Sequence, residues 1–384
     1  MKGDTLTTVP NPDFALGRGG YSGWNLPERR RASFHGMERL TRYGKSCRAL
    51  QVWQLRPDYD TCIAERADLH ALTRTPAFSA MCVLREDRVL FEQSAPDFST
   101  HHPHSVMSIS KTTLNLIYGR LLAEGRLSLS HRVGDYLPWV GAGYRDATLQ
   151  QVLNMDVANA YTEDYDDPAC SAYDYDAVTG FRLPPEGQRE STVQAFLAAV
   201  GLAPGAADTV NRSGIADYKS ANSDILTFVA EAVTGRPAFD LVVEIIEAAG
   251  IEGSATVTCD RTGFIALNGG LCLSARDLAR YGMIFARGGK GVNGSMVGDP
   301  GFIAATLGGG IPMAAPRDRL RYSNHLNTDG TWLGHGGYGG QYMLVNPNTG
   351  TVCVFFSVLE NASGYDAGYF ARVIRMLDEI AASR

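Results

Sequence analysis

No stretch of this 384-residue chain approaches the roughly 18 uninterrupted apolar residues a transmembrane helix needs, so no membrane span is predicted. Met1-Lys2-Gly3-Asp4-Thr5 opens the chain without an apolar h-region, and no secretory signal is read there. Basic blocks are scarce. Arg29-Arg30-Arg31 is the one run and reads as a solvated surface patch. With a formal net charge of -6, the composition argues against nucleic acid or another polyanion as partner. The seven cysteines form no Cys-x-x-Cys pair and are odd in number, which excludes a disulfide framework and a zinc-ribbon spacing. Scattered thiols of this kind suit a reducing compartment, and the cytoplasm is the expected location.

A chain of this length exceeds the usual limit for one hydrophobic core, so one composite domain or two subdomains is expected. Residues 1–75 are rich in Pro, Gly and Arg and read as an extended lead-in plus a short helix. Two apolar runs, 77–84 and 89–92, flank the charged turn Arg85-Glu86-Asp87-Arg88 and read as a β-hairpin. The runs 341–345 and 351–356 repeat the pattern around Asn346-Pro347-Asn348-Thr349-Gly350. Phe370, Val373, Ile374, Leu377 and Ile380 are spaced for a final amphipathic helix. Between these ends, helices are predicted after Lys111 and over 192–200, 223–234, 239–248 and 275–286. The pattern is α+β: both termini close into one antiparallel sheet flanked by helices, with a mostly helical region inserted. The expected boundaries are 1–128 and 288–384 for the sheet domain and 129–287 for the helical region.

Ser108-Ile109-Ser110-Lys111 carries the first chemical signal. A serine and a lysine three apart at a helix start share one face, so the amine can reach the hydroxyl and activate it. None of the other lysines, Lys2, Lys45, Lys219 and Lys290, has a serine at that spacing. Asp217-Tyr218-Lys219-Ser220-Ala221-Asn222 precedes a helix, and Tyr218 there is placed to relay protons if it projects into a cleft. Asn222 lies one turn beyond and is a candidate to orient it. Gly334-His335-Gly336-Gly337-Tyr338-Gly339-Gly340-Gln341 runs into a predicted strand. Its glycines let backbone approach a ligand closely, which suits an amide donor for an oxyanion.

These elements, in this order, resemble the serine beta-lactamase and penicillin-binding-protein-like hydrolases, on the class C branch. Within it they are most similar to the 6-aminohexanoate-dimer hydrolase and carboxylesterase group. The likeness runs from about residue 75 to the C-terminus. It is carried further by Gly125-Arg126-Leu127-Ser128-Leu129, Val133-Gly134-Asp135-Tyr136-Leu137-Pro138, Gly269-Gly270-Leu271 and 274–282. Glu163-Asp164-Tyr165-Asp166-Asp167-Pro168 resembles an acidic loop of linear-amide hydrolases. The resemblance implies a beta-lactamase/transpeptidase-like fold, Ser108 as nucleophile, Lys111 as its base and Tyr218 as catalytic tyrosine. The backbone N–H groups of Ser108 and Tyr338 would form the oxyanion hole, beside Gly337 and His335.

Two departures bear on substrate. Ser220 stands where lactamases carry asparagine, and His335-Gly336-Gly337 replaces their Lys-Thr-Gly. Both changes remove groups that hold a β-lactam, whereas esterase or linear-amidase chemistry survives them. The expected function is a serine hydrolase acting through an acyl-enzyme on small amides or esters. An acyltransferase, a beta-lactamase or DD-peptidase, and a catalytically silent binding scaffold are the alternatives. If the acidic loop lines the cleft, Asp167 and its neighbours would hold an amine at the far end of a linear substrate. Neither metal nor cofactor is expected: His101-His102-Pro103-His104 lacks carboxylate or thiolate at ligand spacing and reads as a polar loop. Gly20-Tyr21-Ser22-Gly23-Trp24 is no nucleophile elbow, because its second glycine comes one position early. The expected partner is the small-molecule substrate alone.

Overall fold

Thirteen strands, in two sheets, organise the described part of the chain. The computed structural model describes residues 23–383 except Asp166, Pro168 and Pro185. The short early strands are β1 (Gly44–Cys47) and β2 (Arg56–Pro57), followed by the long hairpin β3 (Phe78–Arg85) and β4 (Arg88–Ser94), then β5 (His104–Ser105). After the helical middle come β6 (Ala255–Thr258), β7 (Leu271–Leu273), β8 (Ile311–Pro312), β9 (Arg321–Ser323) and β10 (Leu326–Thr328). The last three are β11 (Leu333–Gly337), β12 (Gln341–Asn346) and β13 (Thr351–Ser357).

The large sheet runs β2-β4-β3-β13-β12-β11-β10-β9-β8, antiparallel throughout except at the β2–β4 edge. Strands from the two ends of the chain meet at its centre, where β13 pairs with β3. β13 is buried along its whole length and β3 nearly so, which explains their near-continuous apolar sequence. The period-two alternation splits their side chains between two cores. Ala80, Cys82, Leu84, Val352, Val354 and Met343 face the helical side. Met81, Val83, Cys353, Phe355 and Leu344 face the C-terminal helix Ala367–Ala382, which buries Phe370, Val373, Leu377 and Ile380. The small sheet, β1-β6-β7-β5, is antiparallel and leads through β5 into the Ser108 turn.

Helix Ala275–Ala286 lies within the span expected to form the separate helical region, yet it packs directly on the large sheet. Gly282 makes this possible, since a Cβ there would come within 2.6 Å of Val352 Cγ1. Residues 23–75 hold more than the one short helix expected of the lead-in. They include helix Pro27–Phe34, strand β1 paired with β6, and helices Thr61–Ala64 and Ala67–Thr73. Arg29-Arg30-Arg31 is not a free surface patch. Arg30 is 1% exposed. Its guanidinium donates to the carbonyls of Asn25, Leu359 and Asn361, so a main-chain cradle satisfies the buried charge. Arg31 pairs with Asp97 through two N–H···O contacts, both at 2.7 Å. Of the Gly20–Trp24 stretch, residues 20–22 lie outside the described residues. No helix among the described residues is long and apolar enough to cross a membrane.

Candidate active site

Ser108 and Lys111 share a single turn, but it is not the α-helical one expected. Met107–Thr112 is a 3₁₀ helix that passes into the α-helix Thr113–Ala123. With three residues per turn, positions i and i+3 eclipse, which stacks the lysine over the serine. The Nζ–Oγ separation is 2.9 Å. The preceding Met107 is left-handed, with φ 46°, a conformation that costs a non-glycine residue about 1–3 kcal/mol and clusters at functional sites. Ser110 clamps the turn. Its hydroxyl donates to Met107 O (2.6 Å) and accepts from the Leu271 N–H (3.0 Å).

Lys111 is fully buried. Its Nζ lies within hydrogen-bond reach of three oxygens: Ser108 Oγ, Ser220 Oγ at 3.1 Å and the Asn268 carbonyl. The directions of these bonds are fixed from outside. Ser220 commits its own proton to Glu163 Oε1 at 2.7 Å, so towards Lys111 it can only accept. The Asn268 carbonyl likewise can only accept. Once it has given up a proton, an amine with two N–H bonds spent there turns its lone pair to the Ser108 proton. Glu163 also accepts from the Ser220 N–H at the start of helix Ala221–Thr234 and from Tyr161 Oη at 3.2 Å. A carboxylate there complements the positive helix end. Behind Asn268, Asp224 accepts from Asn268 Nδ2 at 2.9 Å and from Tyr175 Oη. Burial pushes the Asp224 carboxyl up to about 7, against the pull of these donors and of Lys111.

Tyr218 sits half-buried at the cleft wall, with Lys111 Nζ 5.2 Å from its ring centroid. Its neighbours pin the segment. Asp217 N–H donates to Met155 O at 2.8 Å, and Lys219 Nζ donates to Tyr161 O at 2.7 Å. His335, on β11, is buried and its ring lies 6.3 Å from that of Tyr218. The Gly336 carbonyl, 2.7 Å from Nδ1, assigns the proton there, and Nε2 then accepts from Tyr322 Oη at 3.2 Å. Burial and the nearby Lys111 hold this imidazole neutral, well below its ordinary range. Gly337 ends β11 against the nucleophile turn: a Cβ there would come within 2.5 Å of Val106 O and 3.2 Å of Met107 Cβ. Tyr338 follows, its ring beneath the Arg30 guanidinium (5.6 Å) and beside Tyr165 (6.2 Å).

One cleft of about 1220 Å³ is lined by Ser108, Glu163, Tyr218, Ser220, His335, Gly337 and Tyr338, among others. Asp167 is not among them. It is exposed, and its carboxylate accepts from the Ala169 N–H two residues on (2.9 Å), capping its own turn. The loop's contribution to the cleft comes from Glu163 and Tyr165. Asn222 also stands apart, fully buried and accepting from Tyr144 Oη at 2.9 Å, with no bond to Tyr218. Within the acidic loop, nothing in the sequence singled out Glu163. Asn268 and Asp224 carried one faint signal, the asparagine just before the Gly269-Gly270-Leu271 passage. His104, in the histidine run, is a buried strand residue stacked on Phe356 at 4.6 Å.

The Beta-lactamase family model matches residues 77–373, and the chain belongs to that family. A curated relative, the 6-aminohexanoate-dimer hydrolase of Paenarthrobacter ureafaciens, is 30% identical over 338 residues, 84% of each chain. Among solved structures, a candidate 6-aminohexanoate-dimer hydrolase from Bacillus anthracis superposes with a TM-score of 0.81 at 19% identity, covering 94% of this chain and 96% of its own. A D-stereospecific amidohydrolase from Streptomyces superposes with a TM-score of 0.59 at 20% identity, over 82% and 98%. These two likenesses show the shared fold.

Proposed function

We propose that the chain is a serine hydrolase cleaving linear amides, and short esters, through an acyl-enzyme on Ser108. The observation that carries this reading is the Lys111 environment: Nζ lies 2.9 Å from Ser108 Oγ and faces two fixed acceptors, Ser220 Oγ and the Asn268 carbonyl, so that the deprotonated amine would aim its lone pair at Ser108. Ser108 Oγ attacks the substrate carbonyl while Lys111 takes its proton. The oxyanion that forms is held by the backbone N–H groups of Ser108 and Tyr338. Tyr218 passes a proton to the leaving nitrogen or oxygen as the tetrahedral intermediate collapses. Water then attacks the Ser108 ester, the same groups acting in reverse, and releases the acid.

The 30% identical relative acts on the 6-aminohexanoate dimer, which makes ω-amino-acid amides the first substrate class to try. Glu163, engaged by Ser220, and Asp176, paired with Arg182 at 3.4 Å, line the cleft and make its lining acidic, which suits a substrate ammonium. The same carboxylate beside Ser220, and His335 in place of a cation, disfavour the carboxylate of a β-lactam.

Incubation with a fluorophosphonate followed by mass spectrometry tests the reading. A single adduct on Ser108, absent in Ser108→Ala, is expected, together with turnover of p-nitrophenyl butanoate. No adduct and no turnover between pH 6 and 9 would leave a ligand-binding scaffold instead. Rapid nitrocefin hydrolysis would overturn the argument against β-lactams.

A further inference from the structure

The cleft does not end at the groups just described. It continues past His335 into a lobe between the loop joining β8 to β9 and the C-terminal helix. Arg317 and Arg319 of that loop, and Arg375 of the helix, line it and are exposed. Among the described residues, none of the three makes a side-chain hydrogen bond or ion pair. The floor is made by Asn327, Trp332 and Tyr342, which are 4%, 1% and 1% exposed. Trp332 Nε1 has no hydrogen-bond partner there, while the Tyr342 hydroxyl and the Asn327 side chain lie within reach of one another. A buried donor left unpaired costs about 1–3 kcal/mol, so the indole N–H marks a place built to receive an acceptor.

The charges select which group. Two carboxylates, Asp329 and Asp378, also line the lobe and offset part of its charge, but among the described residues neither forms an ion pair with the three arginines. Asp329 Oδ1 accepts from Thr331 N–H (2.8 Å) and Thr331 Oγ1 (2.7 Å), closing its own turn. Asp378 lies near Asp329 and Glu379. The guanidinium pair Arg317 and Arg319 is left with exposed forks that match a carboxylate, while indole and phenol donors lie beneath. Elsewhere the cleft is lined by Glu163, beside the Ser220–Lys111 network, and by Asp176, which pairs with Arg182 at 3.4 Å. Acidic groups thus stand beside the nucleophile and arginines in the lobe.

We propose that the Arg317–Arg319 lobe binds the terminal carboxylate on the leaving half of the substrate, making the enzyme selective for amides and esters whose leaving group ends in an acid. This assignment rests on the acyl-enzyme reading, which fixes Ser108 as the point where the two halves meet. A zwitterionic linear amide then lies with its ammonium by Glu163 and Asp176, its scissile carbonyl at Ser108 and its carboxylate in the arginine lobe.

Two esters that differ only at the end of the leaving group test it: 6-(butanoyloxy)hexanoate and hexyl butanoate. The wild-type enzyme should favour the carboxylate ester by about tenfold or more in kcat/KM. The preference should shrink as NaCl is raised, because exposed charges are screened. In R317A/R319A the ratio between the two esters should fall about tenfold, mainly through KM. In R317E/R319E it should invert. A wild-type ratio near one, or a ratio unmoved in both variants, overturns the lobe while leaving the hydrolase intact. A second readout does not need catalysis. In Ser108→Ala, calorimetric titration should give tighter binding of 6-acetamidohexanoate than of 6-acetamidohexanamide, and adding R317A/R319A should abolish the difference. If no Ser108 adduct forms, the acyl-enzyme reading falls and this titration still decides the lobe: equal binding of the two probes overturns it.

Discussion

Lys111 is the residue on which the proposed chemistry turns, and its surroundings make its role testable at single atoms. Replacing it with Arg keeps a cation but supplies no base at neutral pH. Fluorophosphonate labelling of Ser108 should then fall below detection, and labelling at the wild-type rate would remove Lys111 from the mechanism. Ser220→Ala removes one of the two fixed acceptors and leaves Glu163 Oε1 with only the longer Tyr165 Oη donor at 3.4 Å. We expect kcat on p-nitrophenyl butanoate to drop by roughly ten- to a hundredfold, about 1.4–2.7 kcal/mol, with little change in KM. A rise in KM at constant kcat would make Ser220 a substrate-binding residue instead. The Ser108–Lys111 spacing was legible in the sequence because three residues separate the pair on any helical turn. The Glu163–Ser220 and Asp224–Asn268 supports were not. Each joins segments more than forty positions apart, and an isolated Asp or Glu reads as a solvated side chain until the fold buries it.

At the scale of the element, β11 and the 3₁₀ turn form the two jaws of the site, and one glycine sets their separation. Gly337→Ala would bring a Cβ to 2.5 Å from Val106 O, a backbone atom that cannot rotate away. The strand must therefore retreat from Ser108 and carry the Tyr338 N–H with it. Overpacking of this kind costs about 1–3 kcal/mol. A donor misplaced by about 1 Å can cost on the order of a hundredfold in rate. Urea unfolding and single-turnover acylation should show both losses, and wild-type acylation in this variant would free Tyr338 of its proposed role. Long elements were legible here. The 275–286 helix and the apolar runs that become β3 and β13 stand out in the sequence, and they are buried along nearly their whole length. Short ones were not. β5 and β8 are two residues each, with no period to read, and they exist only because β7 and β9 stand beside them. The 3₁₀ geometry at Ser108 was equally invisible, since both helix types place Ser and Lys three apart on one side.

For the whole molecule, the buried titratable groups set how stability depends on pH. Burial lowers the imidazoles of His35 to about 4, His104 to about 3 and His325 to about 3, and His335 lies well below its ordinary range. The native state keeps them neutral while an unfolded chain protonates them near 6.5. Their contribution is therefore complete above about 6.5 and is lost as pH falls from there towards 4 or 3. Asp224 and Asp176, both raised to about 7, act oppositely: each takes up a proton in the fold between about 7 and 4, where the unfolded carboxyl is ionised, and so favours the fold on acidification. The four histidines outnumber these two. The melting temperature should therefore hold near neutrality and fall steadily between pH 6.5 and 4.5. His104 gives a sharp check, because it is fully buried and its Nε2 has no partner among the described residues. His104→Phe keeps a ring against Phe356 and removes the titration. Between pH 4.5 and 6 the wild-type His104 binds one proton only when unfolded, which is worth about 1.4 kcal/mol per pH unit. The slope of unfolding free energy against pH should flatten by about that amount in the variant. An unchanged slope would mean that His104 is protonated within the fold.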